Sequence, residues 1–232
     1  MCHFKKIFLP GGAMKTAEKF FNWAFTTRAN TVLKLYNGEE LSKEKIFLSF
    51  CSHTPALVSN GPAGLNASIK GVGFMPKPEY LEETLNAYLE HIKSYTPGDK
   101  DYSKRGLALL VKWMYGEDVR HRIDFTRIGS LEMAKKHSFE NYKANPEATI
   151  IYYQPPMVSY ELRGKMSIYD ELDSGQRELY QQFLNAQHDV YHTPDMSRWL
   201  NYPAYVFDIE EIYDNSANRD AFGTKLQYPY DK

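Results

Sequence analysis

The stretch 141-NYKANPEATIIYYQPPMVSYELRGKMSIY-169 decides how this chain folds. Asn145-Pro146 stops a helix, because the residue before a proline is driven out of the helical region. Ala148 to Tyr153 is nearly continuous in apolar character, and Pro155-Pro156 hinges the chain before a second strand. From Val158 the character alternates: Val158, Tyr160, Leu162, Met166 and Ile168 on one side, Ser159, Glu161, Arg163, Lys165 and Ser167 on the other. That alternation is the mark of an antiparallel strand with one wet side.

Working outward, 174-SGQRELYQQFLNAQH-188 reads as a helix through Leu179, Phe183 and Leu184, and 204-AYVFDIEEIYD-214 as a closing strand. On the other side, 121-HRIDFTRIG-129 has strand composition, and Ser130 is expected to cap a helix, 130-SLEMAKKHSFENYKAN-145. Two helices come before it. Leu81, Leu85, Tyr88, Leu89 and Ile92 share one face of 78-PEYLEETLNAYLEHIKSY-95, and 101-DYSKRGLALLVKWMYG-116 closes at Gly116. Further upstream, 55-PALVSNGPAGLNASIKGVGFM-75 has the pattern of a hairpin, with Leu65, Ala67 and Ile69 alternating against Asn66, Ser68 and Lys70. A helix through Phe21, Phe25, Val32 and Tyr36 stops at Asn37-Gly38. The run 42-SKEKIFLSFCSHT-54 starts with a suitable N-cap, Ser42, but is too short to choose between helix and strand. With most strands antiparallel the class is α+β, and a closed or partly closed barrel best removes exposed sheet edges.

The composition sets outer limits. With 28 basic against 29 acidic residues in a chain of 232, no global field favours nucleic acid or a membrane surface, so any anion site has to be local. Cys2 and Cys51 cannot build a disulfide framework and suit a reducing cytoplasm. Pro10-Gly11-Gly12 cuts the first apolar run far short of an export signal, and no apolar run is long enough to span a membrane.

Four strings in this order resemble the pyridoxamine 5'-phosphate oxidase-like, FMN-binding split-barrel family. "ALVSNGPAGLNASI" is similar to its first hairpin, "SLEMAKKHSFENYKANPEATIIYY" to its helix, Asn-Pro and strand, "VSYELRGKMSIYDE" to its long strand, and "AYVFDIEEIYD" to its closing strand. They cover about Pro55 to Asp214. The resemblance implies an antiparallel six-stranded split β-barrel with flanking helices, occupying residues 55–214 and carrying a helical insertion at about 76–117. A helical extension (1–54) precedes it and a tail (215–232) follows. It further implies a homodimer with FMN in clefts between subunits, passing electrons to a small-molecule substrate. The chain departs from the family pattern in two places. Where the family often has Ser and then Lys near the helix start, this chain has Lys136 and Ser138, the same chemistries reversed. The helical insertion is also longer.

A flavin needs a phosphate site, and helix N-termini with nearby cations suit phosphate. Arg127 and Ser130, with Lys135, Lys136 and Ser138 following within two turns, are the expected cradle. Ser68 and Lys70 lie on the polar side of the hairpin, where the family tends to place flavin contacts, and Trp199 could cover a ring. Each also has a plainer reading, as solvated helix face, hairpin surface or core. No catalytic acid or base is assigned, and in many flavin reactions none is needed. Cys51-Ser52-His53 as a nucleophile and base lacks an acidic orienter, and no Cys or His pair has zinc spacing. A second function stays open: the same barrel as a non-catalytic module holding haem or another small ligand. A third is a partner-binding domain that uses the helices between Tyr80 and Gly116.

Overall fold

The computed structural model describes residues 16–190, 192, 194 and 202–228. Helix α1 (Glu18–Phe21) runs through a π-turn, Asn22–Thr26, into α2 (Thr27–Tyr36), and α3 (Lys43–Phe50) follows. Ser42 does cap α3, its Oγ accepting the Lys45 N–H, so the ambiguous segment is a helix. Strands β1 (Ala56–Gly61), β2 (Gly64–Ile69) and β3 (Val72–Pro76) precede α4 (Pro78–Lys93) and α5 (Tyr102–Leu110). A second π-turn, Val111–Tyr115, and a 3-10 turn lead into β4 (Ile123–Leu131). Then come α6 (His137–Ala144), β5 (Glu147–Gln154), β6 (Val158–Tyr169), α7 (Gln176–Asp189), β7 (Ala204–Asp214) and β8 (Thr224–Leu226).

The strands form one antiparallel sheet in the order β2-β1-β5-β6-β7-β4-β3, with β8 on the far end of β7. This is the α+β split-barrel architecture. It has eight strands rather than six, because β3 and β8 are too short to carry a clear alternation of their own. The long strands β6 and β7 shift register between Arg163 and Gly164. A Cβ on Gly164 would meet the Asp208 carbonyl oxygen at 1.9 Å, so only glycine lets the two backbones come this close.

The core is aromatic. Phe20 and Phe21 are fully buried, Phe20 packing on Tyr152 and Tyr160, and Phe21 on Phe74 and Phe125. The first helix therefore completes the same core as the sheet. The hairpin holds a surprise in the opposite direction. On β2, Leu65 is 80% exposed and Ile69 68%, while Asn66, Ser68 and the following Lys70 turn inward against α6 and the turn before it. The polar side of this strand faces the protein.

Candidate functional site

β4 pairs with β7 through Leu131, so its backbone groups are committed to the ladder and the helix cannot start at Ser130. This corrects the expected cap. Ser130 is a strand residue whose Oγ donates to the Gly71 carbonyl at 2.8 Å, and α6 starts at His137. The turn between them wraps around Glu132, which is only 1% exposed. Glu132 Oε1 accepts the N–H groups of Ala134 and Lys135, both at 2.7 Å. Its Oε2 accepts from Lys70 Nζ at 3.0 Å and from the Tyr205 hydroxyl at 2.5 Å. Lys135 adopts φ +49°, a left-handed conformation uncommon outside glycine. Burial pushes the Glu132 carboxyl up, but the Tyr205 hydroxyl, the Ala134 N–H and Lys70 overcome it and hold the pKa below the ordinary carboxylate value. Burial first, and then Glu132, push the Tyr205 hydroxyl well up.

Beside this nest α6 is sewn to the hairpin. Asn66 Nδ2 donates to Ser138 Oγ at 2.8 Å, and the Ser68 and Ser138 hydroxyls bond each other at 3.0 Å. Asn141, fully buried, donates to Ser59 Oγ and the Gly64 carbonyl and accepts the Ala63 N–H. The structure thus brings together Ser68, Lys70, Ser138 and the backbone of Lys135. The side chains of Lys135 and Lys136 are exposed, with Lys136 at the N-cap of α6. Arg127 is elsewhere. Its Nε donates to Asp124 at 2.8 Å and its Nη2 to the Tyr180 hydroxyl at 2.9 Å. Three positions apart on a regular strand, Arg127 and Ser130 point to opposite faces. Trp199 lies outside the described residues. These residues do not fit a flavin phosphate: Lys70 is neutralised by Glu132, and the expected cradle is divided between two sides of β4.

A second region does have room. A cavity of about 410 Å³ opens between the β3–β4 pair, α7 and the helices around it, within the ~300–1,000 Å³ range of ligand pockets. Gly73 and Gly129 form part of its backbone floor, and Leu110, Leu131 and Leu184 part of its apolar wall. Phe50 and Met133, about half exposed, also line it. A Cβ on Gly129 would meet Leu184 Cδ2 at 2.4 Å and Met75 Sδ at 2.8 Å, so α7 rests directly on this glycine.

The ionisable lining is basic apart from the Tyr115 phenol: Arg28, His53, His188 and His192, with no carboxylate among the described lining residues. Arg28 Nε donates to the Tyr115 hydroxyl at 3.1 Å. The rings of His188 and His192 lie 5.2 Å apart, and His188 Nδ1 meets the buried Asp189 carboxylate at 2.9 Å. His53 Nδ1 lies 2.5 Å from the Val72 carbonyl. A carbonyl can only accept, so Nδ1 carries the hydrogen and Nε2 keeps a lone pair. Burial, and next Arg28, push the His53 pKa down to about 4 against the Val72 carbonyl, leaving the ring neutral at pH 7. Among the described residues no group of three or more His, Cys, Asp or Glu side chains is arranged to hold a metal ion. Glu132 and the role of His53 were missed in the sequence. An acidic residue just ahead of two lysines was a signal for the first; the second depends on a bond across the sheet.

The sheet order and the flanking helices define the chain as a split-barrel protein. The chain is similar to HupZ of Group A Streptococcus, at 9% identity over 81% of this chain and 99% of that one, with a TM-score of 0.43. It is similar to a pyridoxamine 5'-phosphate oxidase-related, FMN binding protein of Nostoc punctiforme, at 11% identity over 72% and 76%, TM-score 0.40. It is also similar to HutZ, the heme storage protein of Vibrio cholerae, at 12% identity over 75% and 95%, TM-score 0.40. At these values the likeness assigns neither a function nor a role to any residue. No family model and no curated protein matches the chain. No helix among the described residues is long and apolar enough to cross a membrane.

Proposed function

We propose that the protein is a non-catalytic binding module that holds a planar, largely apolar cofactor of the haem type in the cavity, with His53 Nε2 as the ligand atom. The observation that carries this reading is the fixed tautomer of His53. An imidazole whose Nδ1–H is held by a backbone carbonyl, neutral at pH 7 and lining an apolar cavity, is the arrangement in which histidines ligate metals. The other residues fit the group: aliphatic walls surround it, and the Arg28 guanidinium would face an acidic arm. Bound haem would supply a redox-active iron; this chain would supply the imidazole, the apolar walls and the counter-charge. Hemin added to the purified protein should give a Soret band saturating at one equivalent. His53→Ala should weaken binding at least tenfold while the protein stays folded. FMN released on denaturation of the protein as isolated would overturn the proposal and restore the oxidoreductase reading, with the phosphate held by residues other than those expected.

The reading includes a cytoplasmic location, supported by the scarcity of cysteine, and a homodimer. β2 is an edge strand, and its outward side carries Leu65, Ala67 and Ile69. An apolar edge of this kind invites aggregation unless something covers it. A second copy would do so. Sedimentation should show a dimer at micromolar concentration, and Leu65→Lys with Ile69→Lys should give a monomer; a wild-type monomer would sink the idea.

A further inference from the structure

The Glu132 nest has every part of an anion-binding site, and the anion belongs to the chain itself. Two successive backbone N–H groups, an ammonium and a phenol converge on one carboxylate, and each is a donor that a phosphate oxygen would accept. The left-handed backbone of Lys135 fits a nest, the concavity that consecutive N–H groups make for anions. In a residue with a Cβ this conformation is unfavourable, so the bound anion has to offset it. The side chain of Glu132 is 2% exposed, which leaves no space for a second anion, and its charge would repel one. Three of the donors come from the end of β2 and the approach to α6, and the fourth, Tyr205, from β7. The flavin phosphate was expected on the approach to α6, and other flavin contacts on β2.

We infer that Glu132 is the resident occupant of this anion hole: it keeps a flavin phosphate out, and removing its carboxylate turns the hole into a site for a small free oxyanion. The inference does not depend on what fills the cavity. Its test compares wild type with Glu132→Gly and Glu132→Gln in acetate, inorganic phosphate or chloride at constant ionic strength, following the thermal midpoint. Wild type should not distinguish the anions. Glu132→Gly should have a lower midpoint, raised by about 5 °C at saturating acetate or phosphate relative to chloride. If Glu132→Gly does not fold, Glu132→Gln still decides: it keeps the shape without the charge and should melt below wild type at pH 7. Acetate and phosphate without effect on Glu132→Gly, or a Glu132→Gln variant as stable as wild type, would overturn the inference. So would wild-type protein that quenches FMN fluorescence and loses that binding with Lys70→Ala.

Discussion

Two residues near the end of β4 sit in different surroundings: Ser130 lines the cavity, and Glu132 fills the nest. The nest is finished. Its carboxylate has four donors, its neighbouring serines satisfy each other, and all of them are tied into the protein. The cavity is made differently, with aliphatic walls, a glycine floor and an imidazole that commits only one ring nitrogen to the backbone. The difference shows why a cluster of suitable residue types is not yet a site. Hydrogen-bond capacity directed at the protein's own groups builds structure, and capacity directed at a cavity can meet a ligand.

The largest effect should come from breaking the nest. Lys70→Met leaves the buried Glu132 carboxylate without its cation and should cost about 3–5 kcal/mol, read as a lower urea midpoint. Lys70→Met with Glu132→Leu should recover only part of the loss, because the Ala134 and Lys135 N–H groups and the Tyr205 hydroxyl lose their acceptor. A Lys70→Met variant as stable as wild type would mean that the nest is not held by charge.

Acid should next act on the cavity side. His53 takes up its proton near pH 6.5 when unfolded but only at about 4 when folded, so its contribution is complete above 6.5 and is lost as pH falls toward 4. The loss reaches about 3 kcal/mol at its limit. The depressed pKa values of His91 and His192, both set first by burial, act in the same direction. Urea midpoints between pH 7 and 4 should therefore fall less steeply in His53→Gln than in wild type. Equal slopes would show that His53 titrates normally.

The smallest of the three is steric. Gly129→Ala should cost about 1–3 kcal/mol, because the new methyl pushes on Leu184 and Met75. It should also narrow the cavity, so hemin affinity should drop while the nest, tested by its indifference to acetate, stays as in wild type.

Much of the framework was legible because its signals are local. The Asn145-Pro146 stop and the alternation along β6 depend on residues within a few positions of one another. Ser130 misled for the opposite reason. By type and context it is a good N-cap, but the pairing of Leu131 with Ala204, distant in sequence, keeps it in a strand. The period of β2 was readable while its direction was not, since alternation does not say which side meets the core. The cavity was the least legible. Arg28, His53, Gly129 and Leu184 come from α2, the turn after α3, β4 and α7, and nothing in any one of those segments points to the others.

The two π-turns give the cavity a fragile geometry. Asn22–Thr26 and Val111–Tyr115 each hold one residue more than an α-helix of the same rise would, and Phe25 meets Tyr115 between them, ring centroids 5.5 Å apart. Each residue of an α-helix advances the face by about 100°. Deleting a single position before Arg28 would rotate Arg28, Ala29 and Val32 together and aim a different side of α2 at the barrel. Far-UV spectra would scarcely record that change, and a ligand titration would record it at once. In this part of the molecule, the shape of the cavity is a matter of helical phase, adjustable by one codon.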